Sequence, residues 1–145
     1  MKTLSLLWMF LLACIAPLSA LGEKHLEATK KSSAEKGKAI VFCFQQAYYN
    51  PGCPKCIADV NANNAAIKKA LPRKYANIIT IDAGETRGLD KLPQCVKDIK
   101  ASAPILVATD AECTKVIGTL QGRPDRKQAD AFEKTVADAI AAVAK

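Results

Sequence analysis

Histidine occurs once in this 145-residue chain, at His25, tryptophan once, at Trp8, and aromatic side chains make up only 6% of the residues. With so few rings, a core has to be assembled largely from Ile, Leu, Val and Ala. The basic residues, among them Lys30-Lys31, Lys68-Lys69, Arg73-Lys74, Lys97, Lys100 and Arg123 to Lys127, are scattered and no aromatic stacking platform lies between them. They read as solvated surface and argue against nucleic-acid binding. Internal repeats and low-complexity tracts are also lacking. What is present excludes disorder as the main state: 50% hydrophobic and 24% charged residues fit one globular domain, and the length leaves little room for a second.

Lys2 precedes an apolar stretch from Leu4 to Ala13, and Pro17 and small residues follow. This is the pattern of a secretory signal peptide over residues 1 to 22, which leaves residues 23 to 145 as the single mature domain. Glu23-Lys24-His25 ends the apolar stretch before the roughly twenty residues a membrane span needs. Leu11-Leu12-Ala13-Cys14 also resembles a bacterial lipobox, in which a lipid on Cys14 would tether the protein to a membrane. Either reading exports the protein, to the periplasm or beyond. The formal charge of +7 loses only Lys2 with the leader, leaving about +6, which favours solubility and a weak attraction for anions.

Along the mature chain, residues 23 to 38 are polar and Lys-rich with Leu26 as the one large apolar residue, a short, mostly exposed helix ending at Gly37. Lys38 to Phe44 is a continuous apolar run too short for a buried helix, which favours a central strand covered on both faces. After a turn-rich loop, Tyr48 to Gly52, the residues Ile57, Val60, Ile67 and Leu71 approximate a helical stripe that stops before Pro72 and is weakened by Asn61, Asn63 and Asn64. Asn77 to Asp82 is a second buried strand, parallel to the first with a right-handed crossover. A long connection, Ala83 to Pro93, leads to a short helix over 94 to 100. Ile105 to Ala108 and Thr114 to Leu120 read as a β-hairpin around a loop from Thr109 to Cys113. Phe132, Val136, Ile140 and Val143 mark a last helix, opened by a capping box of Asp125 and Gln128.

Cys14 leaves with the leader, so five cysteines remain: Cys43, Cys53, Cys56, Cys95 and Cys113. An odd count in an exported protein requires a thiol that is buried, reactive or bridged to another molecule. Cys53-Pro54-Lys55-Cys56 stands directly after a strand and opens a helix, with Pro54 at the first helical position, where its missing N–H costs nothing. Free backbone N–H groups and the helix dipole stabilise a thiolate at Cys53, and Lys55 adds a positive charge. Cys53 is then the nucleophile, and Cys56, one turn further in, resolves the mixed disulfide with a substrate.

Strand, CPKC, helix, parallel strand, helix, then Ala103-Pro104 before an antiparallel hairpin and a last helix: in this order the chain resembles the thioredoxin-like superfamily over about residues 38 to 143. The resemblance implies an α/β thioredoxin-like fold, a central mixed sheet of a parallel pair plus an antiparallel hairpin, flanked by helices. It implies protein thiol-disulfide exchange, with protein thiols or disulfides and a further redox partner as partners and no cofactor. It also implies that Pro104 is cis and shapes the substrate groove beside Pro54 and Lys55, and that the Ala103 backbone pairs with an extended substrate. Four departures stand out. Gly52 replaces the tryptophan many thioredoxins carry before the first cysteine, the loop before it is longer, and Cys43 lies nearest the place of their buried acid. Pro54-Lys55 differs from the Gly-Pro of reducing thioredoxins, so the direction of electron flow stays open.

Other readings of the same residues are weaker. Zinc ribbons need a second Cys or His pair at short spacing, which is missing. Two exported thiolates suit Cu(I), and a copper metallochaperone or a redox-inactive binding protein is the competing reading, although copper carriers of this fold usually add a histidine and His25 lies in the N-terminal segment. Cys43 reads as inert strand packing. Cys95 and Cys113 either bridge or remain separate thiols. Tyr48 and Tyr49 either line a groove or cover the core edge. A monomer is expected.

Overall fold

The computed structural model describes residues 22–48, 50–82, 84 and 88–144; the leader expected over 1–22 therefore lies, but for Gly22, outside the described residues. Chain order is α1 (Glu23–Lys36), β1 (Ala39–Phe44), α2 (Pro54–Lys69), β2 (Ala76–Ile81), a 3-10 turn (Leu89–Lys91), α3 (Gln94–Lys97), β3 (Ile105–Thr109), β4 (Val116–Gln121) and α4 (Arg126–Val143). The four strands form one sheet in the order β2-β1-β3-β4. β1 runs parallel to β2, with Ala39 opposite Ala76 and Phe44 opposite Ile81, and antiparallel to β3, with Phe44 opposite Ile105. β3 and β4 are antiparallel, with Ile105 opposite Gln121 and a register shift between Ala108 and Thr109. This is the thioredoxin-like arrangement that the order of sequence elements implies.

The apolar run of β1 explains the layering. Ala39 to Cys43 are buried, so both faces of the strand have to be covered. Ile40 and Phe42 point to one side, where Ile79, Ile81, Ile105 and Val107 meet Leu26 of α1 and Val96 of α3. Val41 and Cys43 point to the other, with Leu106 and Ala108 under Ile67 of α2 and Phe132 and Val136 of α4. The odd and even positions of one six-residue strand thus belong to two separate apolar layers, as the two-residue period of a strand dictates. α4 opens on the expected capping box: Gln128 N–H donates to Asp125 Oδ1 (2.8 Å) and Asp125 N–H to Gln128 Oε1 (2.9 Å).

α1 ends as expected, with Gly37 in the left-handed region (φ 60°), where a glycine carries no Cβ penalty. It is less exposed than its polar sequence suggests, because Ser33 is fully buried and its hydroxyl accepts a 2.8 Å hydrogen bond from Asn77 Nδ2 of β2. Two elements differ from the sequence reading. The helix expected over 94–100 covers only Gln94–Lys97. Asp98 keeps helical angles as the C-cap, and Ile99 N–H closes a tighter bond on Val96 O (3.2 Å), so the helix ends in a single narrowed turn. The hairpin loop runs from Asp110 to Lys115, because β3 keeps Thr109 and β4 starts only at Val116. Asp110 organises this loop: its carboxylate accepts from the N–H of Thr114 (2.6 Å), the N–H of Lys115 (3.2 Å) and the Thr114 hydroxyl.

Burial pushes the Asp110 carboxyl upward, but the Thr114 hydroxyl and N–H, with Lys115, outweigh it and leave its pKa below the ordinary value. A carboxylate depressed in the folded state contributes stability that is present above its unfolded pKa and is lost as pH falls through the folded one. The expected result for Asp110→Asn is a loss of stability at neutral pH that shrinks as pH falls through the lowered pKa of the folded carboxylate, read from urea unfolding across an acid pH series. Val136, wholly buried in the layer under α4, should cost about 1–3 kcal/mol when cut to Ala, whereas Val143→Ala, 78% exposed, should stay within about 0.5 kcal/mol in the same measurement.

Candidate active site

Because Phe44 of β1 faces Ile105 of β3, the chain leaving β1 and the chain arriving at β3 meet at one end of the sheet. Residues 45–53 depart from it toward α2, and Ala103-Pro104 enters it. The Ala103–Pro104 peptide bond is cis, as the resemblance implies. Pro104 is buried and Ala103 half-buried. The segment is tied to the far side of the sheet, since Gly122 N–H donates to Pro104 O (2.9 Å) and Gln121 Nε2 donates to Ser102 O (2.8 Å). Among the described residues, no backbone partner takes the Ala103 N–H or C=O.

Cys53 and Cys56 are joined by a disulfide, with 5.2 Å between their Cα atoms. Cys53 is the N-cap of α2 and Pro54 its first residue, so the sulfur stands where the unpaired N–H groups of the first turn point. One of these, Cys56 N–H, donates to Cys53 Sγ at 3.2 Å. Gly52 N–H on Asn50 Oδ1 and Cys53 N–H on Asn50 O, both 3.2 Å, shape the turn leading in. Pro54, Lys55 and Cys56 are exposed, whereas Cys53 is half-buried. Exposure alone would make Cys56 the more accessible sulfur; the hydrogen bond and the helix dipole favour negative charge on Cys53.

The asparagines that weaken α2 as a helix turn out to hold the loop before it. Asn64, 9% exposed, accepts from Gln46 N–H (2.7 Å) through Oδ1 and donates from Nδ2 to Gln46 O (3.1 Å), so one side chain satisfies both backbone groups of one residue. Asn63 Nδ2 donates to Gln46 Oε1 (3.0 Å). Tyr48 donates its hydroxyl proton to Asn61 Oδ1 (2.5 Å) while its ring stays about half exposed, so it braces the loop against α2; Tyr49 lies outside the described residues. The sequence did carry a trace of this clamp, in three poor helix formers crowded into four positions of an otherwise regular helix.

Next to Ala103 an apolar pocket of about 230 Å³ opens between Phe44, Val96, Ile99 and Ile105, with Lys97 at its rim. A larger depression of about 540 Å³ lies between α2 and α4, but its floor is alanine (Ala62, Ala66, Ala129) and it holds neither sulfur. Cys43 is fully buried in β1 and burial pushes its thiol pKa up, which fits inert packing. Cys95 and Cys113 are separate thiols. Among the described residues, no three or more His, Cys, Asp or Glu side chains gather as a metal site, and His25 is exposed on α1, which packs on the sheet face opposite α2.

No protein-family model matches this chain, and neither does any curated protein. Solved structures do. A disulphide isomerase from Xylella fastidiosa Temecula1 is 17% identical over 84% of this chain and 90% of its own, with a TM-score of 0.42. A thioredoxin from Aeropyrum pernix is 16% identical over 78% of this chain and 83% of its own, with a TM-score of 0.43. A thioredoxin from Trichomonas vaginalis is 16% identical over 75% of this chain and 88% of its own, with a TM-score of 0.38. At such identities the likeness concerns the path of the chain, and the chemistry has to be argued from this chain's own residues.

Asn64→Ala leaves the N–H and C=O of Gln46 without their partner, which is expected to cost about 1–3 kcal/mol in urea unfolding. Faster hydrogen exchange at the Gln46 amide should accompany it, while Asn64→Asp, which keeps the acceptor but loses the donor, should fall between.

Proposed function

We propose that the chain is an exported thiol-disulfide oxidoreductase that exchanges disulfides with protein substrates through Cys53 and Cys56. The observation that supports this best is the disulfide at the mouth of α2, with Cys53 Sγ held as N-cap by the Cys56 N–H. A reduced Cys53 at that position loses its proton readily, because helix N–H groups and the dipole stabilise the thiolate. The thiolate attacks one sulfur of a substrate disulfide; the Cys53–substrate bond forms, the substrate S–S bond breaks, and the departing thiolate takes up a proton. Cys56, one turn on, then gives up its proton and attacks the Cys53 sulfur. The second substrate thiolate leaves, and two electrons have passed from the cysteine pair to the substrate. Run backwards, the same steps oxidise a dithiol.

Ala103 supplies free backbone groups for an extended substrate segment, Pro104 shapes the wall beside the sulfurs, and exposed Pro54 and Lys55 form the rim that a partner meets. The apolar pocket beside Ala103 suits a hydrophobic side chain near the substrate cysteine. The protein acts as a monomer outside the cytoplasm, released from its leader or held by a lipid on Cys14, and a second redox protein or small thiol resets the pair. With Cys43, a thiol whose pKa burial pushes up, at the strand position nearest the pair, turnover is slower than in general-purpose reductants.

In an insulin assay with dithiothreitol, the wild type should accelerate disulfide reduction and Cys53→Ser should abolish the gain, by about 100-fold or more. Cys56→Ser should instead trap covalent mixed disulfides visible on non-reducing gels. Equilibration with glutathione gives the potential and so the direction of flow. No acceleration by the wild type, or Cu(I) held tightly by the reduced pair without turnover, would overturn the proposal.

A further inference from the structure

Three cysteines stand outside the exchange site, and the fold sorts them. Cys43 belongs to the apolar layer under α2 and α4, whereas Cys95 and Cys113 belong together to the opposite layer, so the sheet itself separates Cys43 from the other two. Cys53 and Cys56 lie at the end of the sheet where β3 begins, and Cys113 follows the end of β3; five strand residues hold them about 15 Å apart. Among the described cysteines, the neighbour of Cys113 is Cys95. Its thiol donates to Cys113 O at 3.2 Å. A carbonyl oxygen lies about 2.4 Å from its own Cα and a thiol sulfur about 2.8 Å, so this contact keeps the two Cα atoms within about 8.4 Å, against about 4.4–6.8 Å across a disulfide. Rotation of both side chains with a small shift of the loop closes the difference.

We propose that Cys95 and Cys113 form a second disulfide, which fastens α3 to the β3–β4 loop at the pole of the molecule remote from Cys53 and Cys56. The surroundings are built for it. Cys113 sits in the left-handed region (φ 56°), unusual for a residue with a side chain, within the loop that Asp110 ties down through Thr114 and Lys115, and its N–H donates to Asp110 O at 3.1 Å. Thr109 Oγ1 lies 3.6 Å from its sulfur. Burial pushes both thiols upward in pKa, at Cys113 more than the Thr109 hydroxyl and the nearby Lys30 offset, so neither is a ready nucleophile for proteins. Cys95, half-exposed, is the sulfur a small disulfide reaches first; Cys113 is 7% exposed.

The oxidant belongs to the class of small disulfides such as oxidised glutathione. Cys95 thiolate attacks one of its sulfurs, the external S–S bond breaks and one glutathione thiolate leaves. Cys113 thiolate then attacks the Cys95 sulfur, the Cys95–Cys113 bond forms and the second glutathione leaves. Two protein thiols are oxidised, one external disulfide is reduced, and the two protons end on the departing thiolates. Val96, the residue after Cys95, lines the pocket beside Ala103, so the bridge steadies one wall of that pocket. The inference does not depend on the activity proposed for Cys53 and Cys56.

The test uses the full mature chain carrying Cys53→Ser and Cys56→Ser, reduced, then exposed to oxidised glutathione and tagged with maleimide in denaturant. Of the three remaining thiols, two should be protected and be recovered by a reductant. Tryptic digestion should link residues 92–97 to residues 101–115 with the loss of two hydrogens. The oxidised form should melt about 10 °C above the reduced one, a difference that Cys95→Ser abolishes. Three reactive thiols, glutathione persisting on Cys95 beside a free Cys113, or Cys43 found in the bridge would each overturn the inference. The same peptide pair can be read in the wild type, so the outcome does not hang on the serine variant folding, and insulin reduction reports separately on Cys53 and Cys56.

Discussion

Strand β1 has almost no side left for water. From Ala39 to Cys43 every residue is buried, so the strand can exist only with a strand on each edge and helices over each face. That requirement accounts for most of the molecule. β2 and β3 supply the edges, α1 and α3 cover one face, and α2 and α4 cover the other. It also fixes where chemistry can occur: a fully enclosed strand can present functional groups only beyond its ends, and the C-terminal end of β1 delivers the chain to Cys53 within nine residues.

Two interactions convert that geometry into a site. The Asn64 amide grips both backbone groups of Gln46, so the loop leaves the sheet in one direction and hands Cys53 to α2 as its cap. The antiparallel register of β1 with β3 brings the cis Ala103–Pro104 bond to the same end. The helix end supplies positive potential at Cys53, and the β3 side supplies backbone groups of Ala103 without a backbone partner among the described residues. The β3–β4 loop is held differently, by Asp110, and burial pushes the pKa of the Cys95 and Cys113 thiols up.

Much of this was legible in residue order. The central strand followed from an apolar run too short for a helix, the α4 cap from Asp125 and Gln128, and the CPKC turn from its position between strand and helix. Boundaries suffered where distant backbone and tight turns intervene: Thr109 joined the sheet through its pairing with Ile40, and the helix at Cys95 ended early as its last turn narrowed onto Val96 O. Ser33 gave no warning of its burial, since its partner Asn77 is 44 positions away.

Local sequence by itself determined the strands, the principal helices and the presence of two cysteines at a helix mouth, because these rest on periodicity, propensity and capping over a few neighbouring residues. Tertiary structure alone decided that Asn64 would clamp Gln46, that Ala103-Pro104 would enter the sheet at the end from which the chain leaves toward Cys53, and that Cys95 would meet Cys113 while Cys43 was walled off from both. Such meetings depend on strand register and on which face of the sheet each side chain takes. A shift of one residue in pairing reverses every face, and no short stretch of sequence records it.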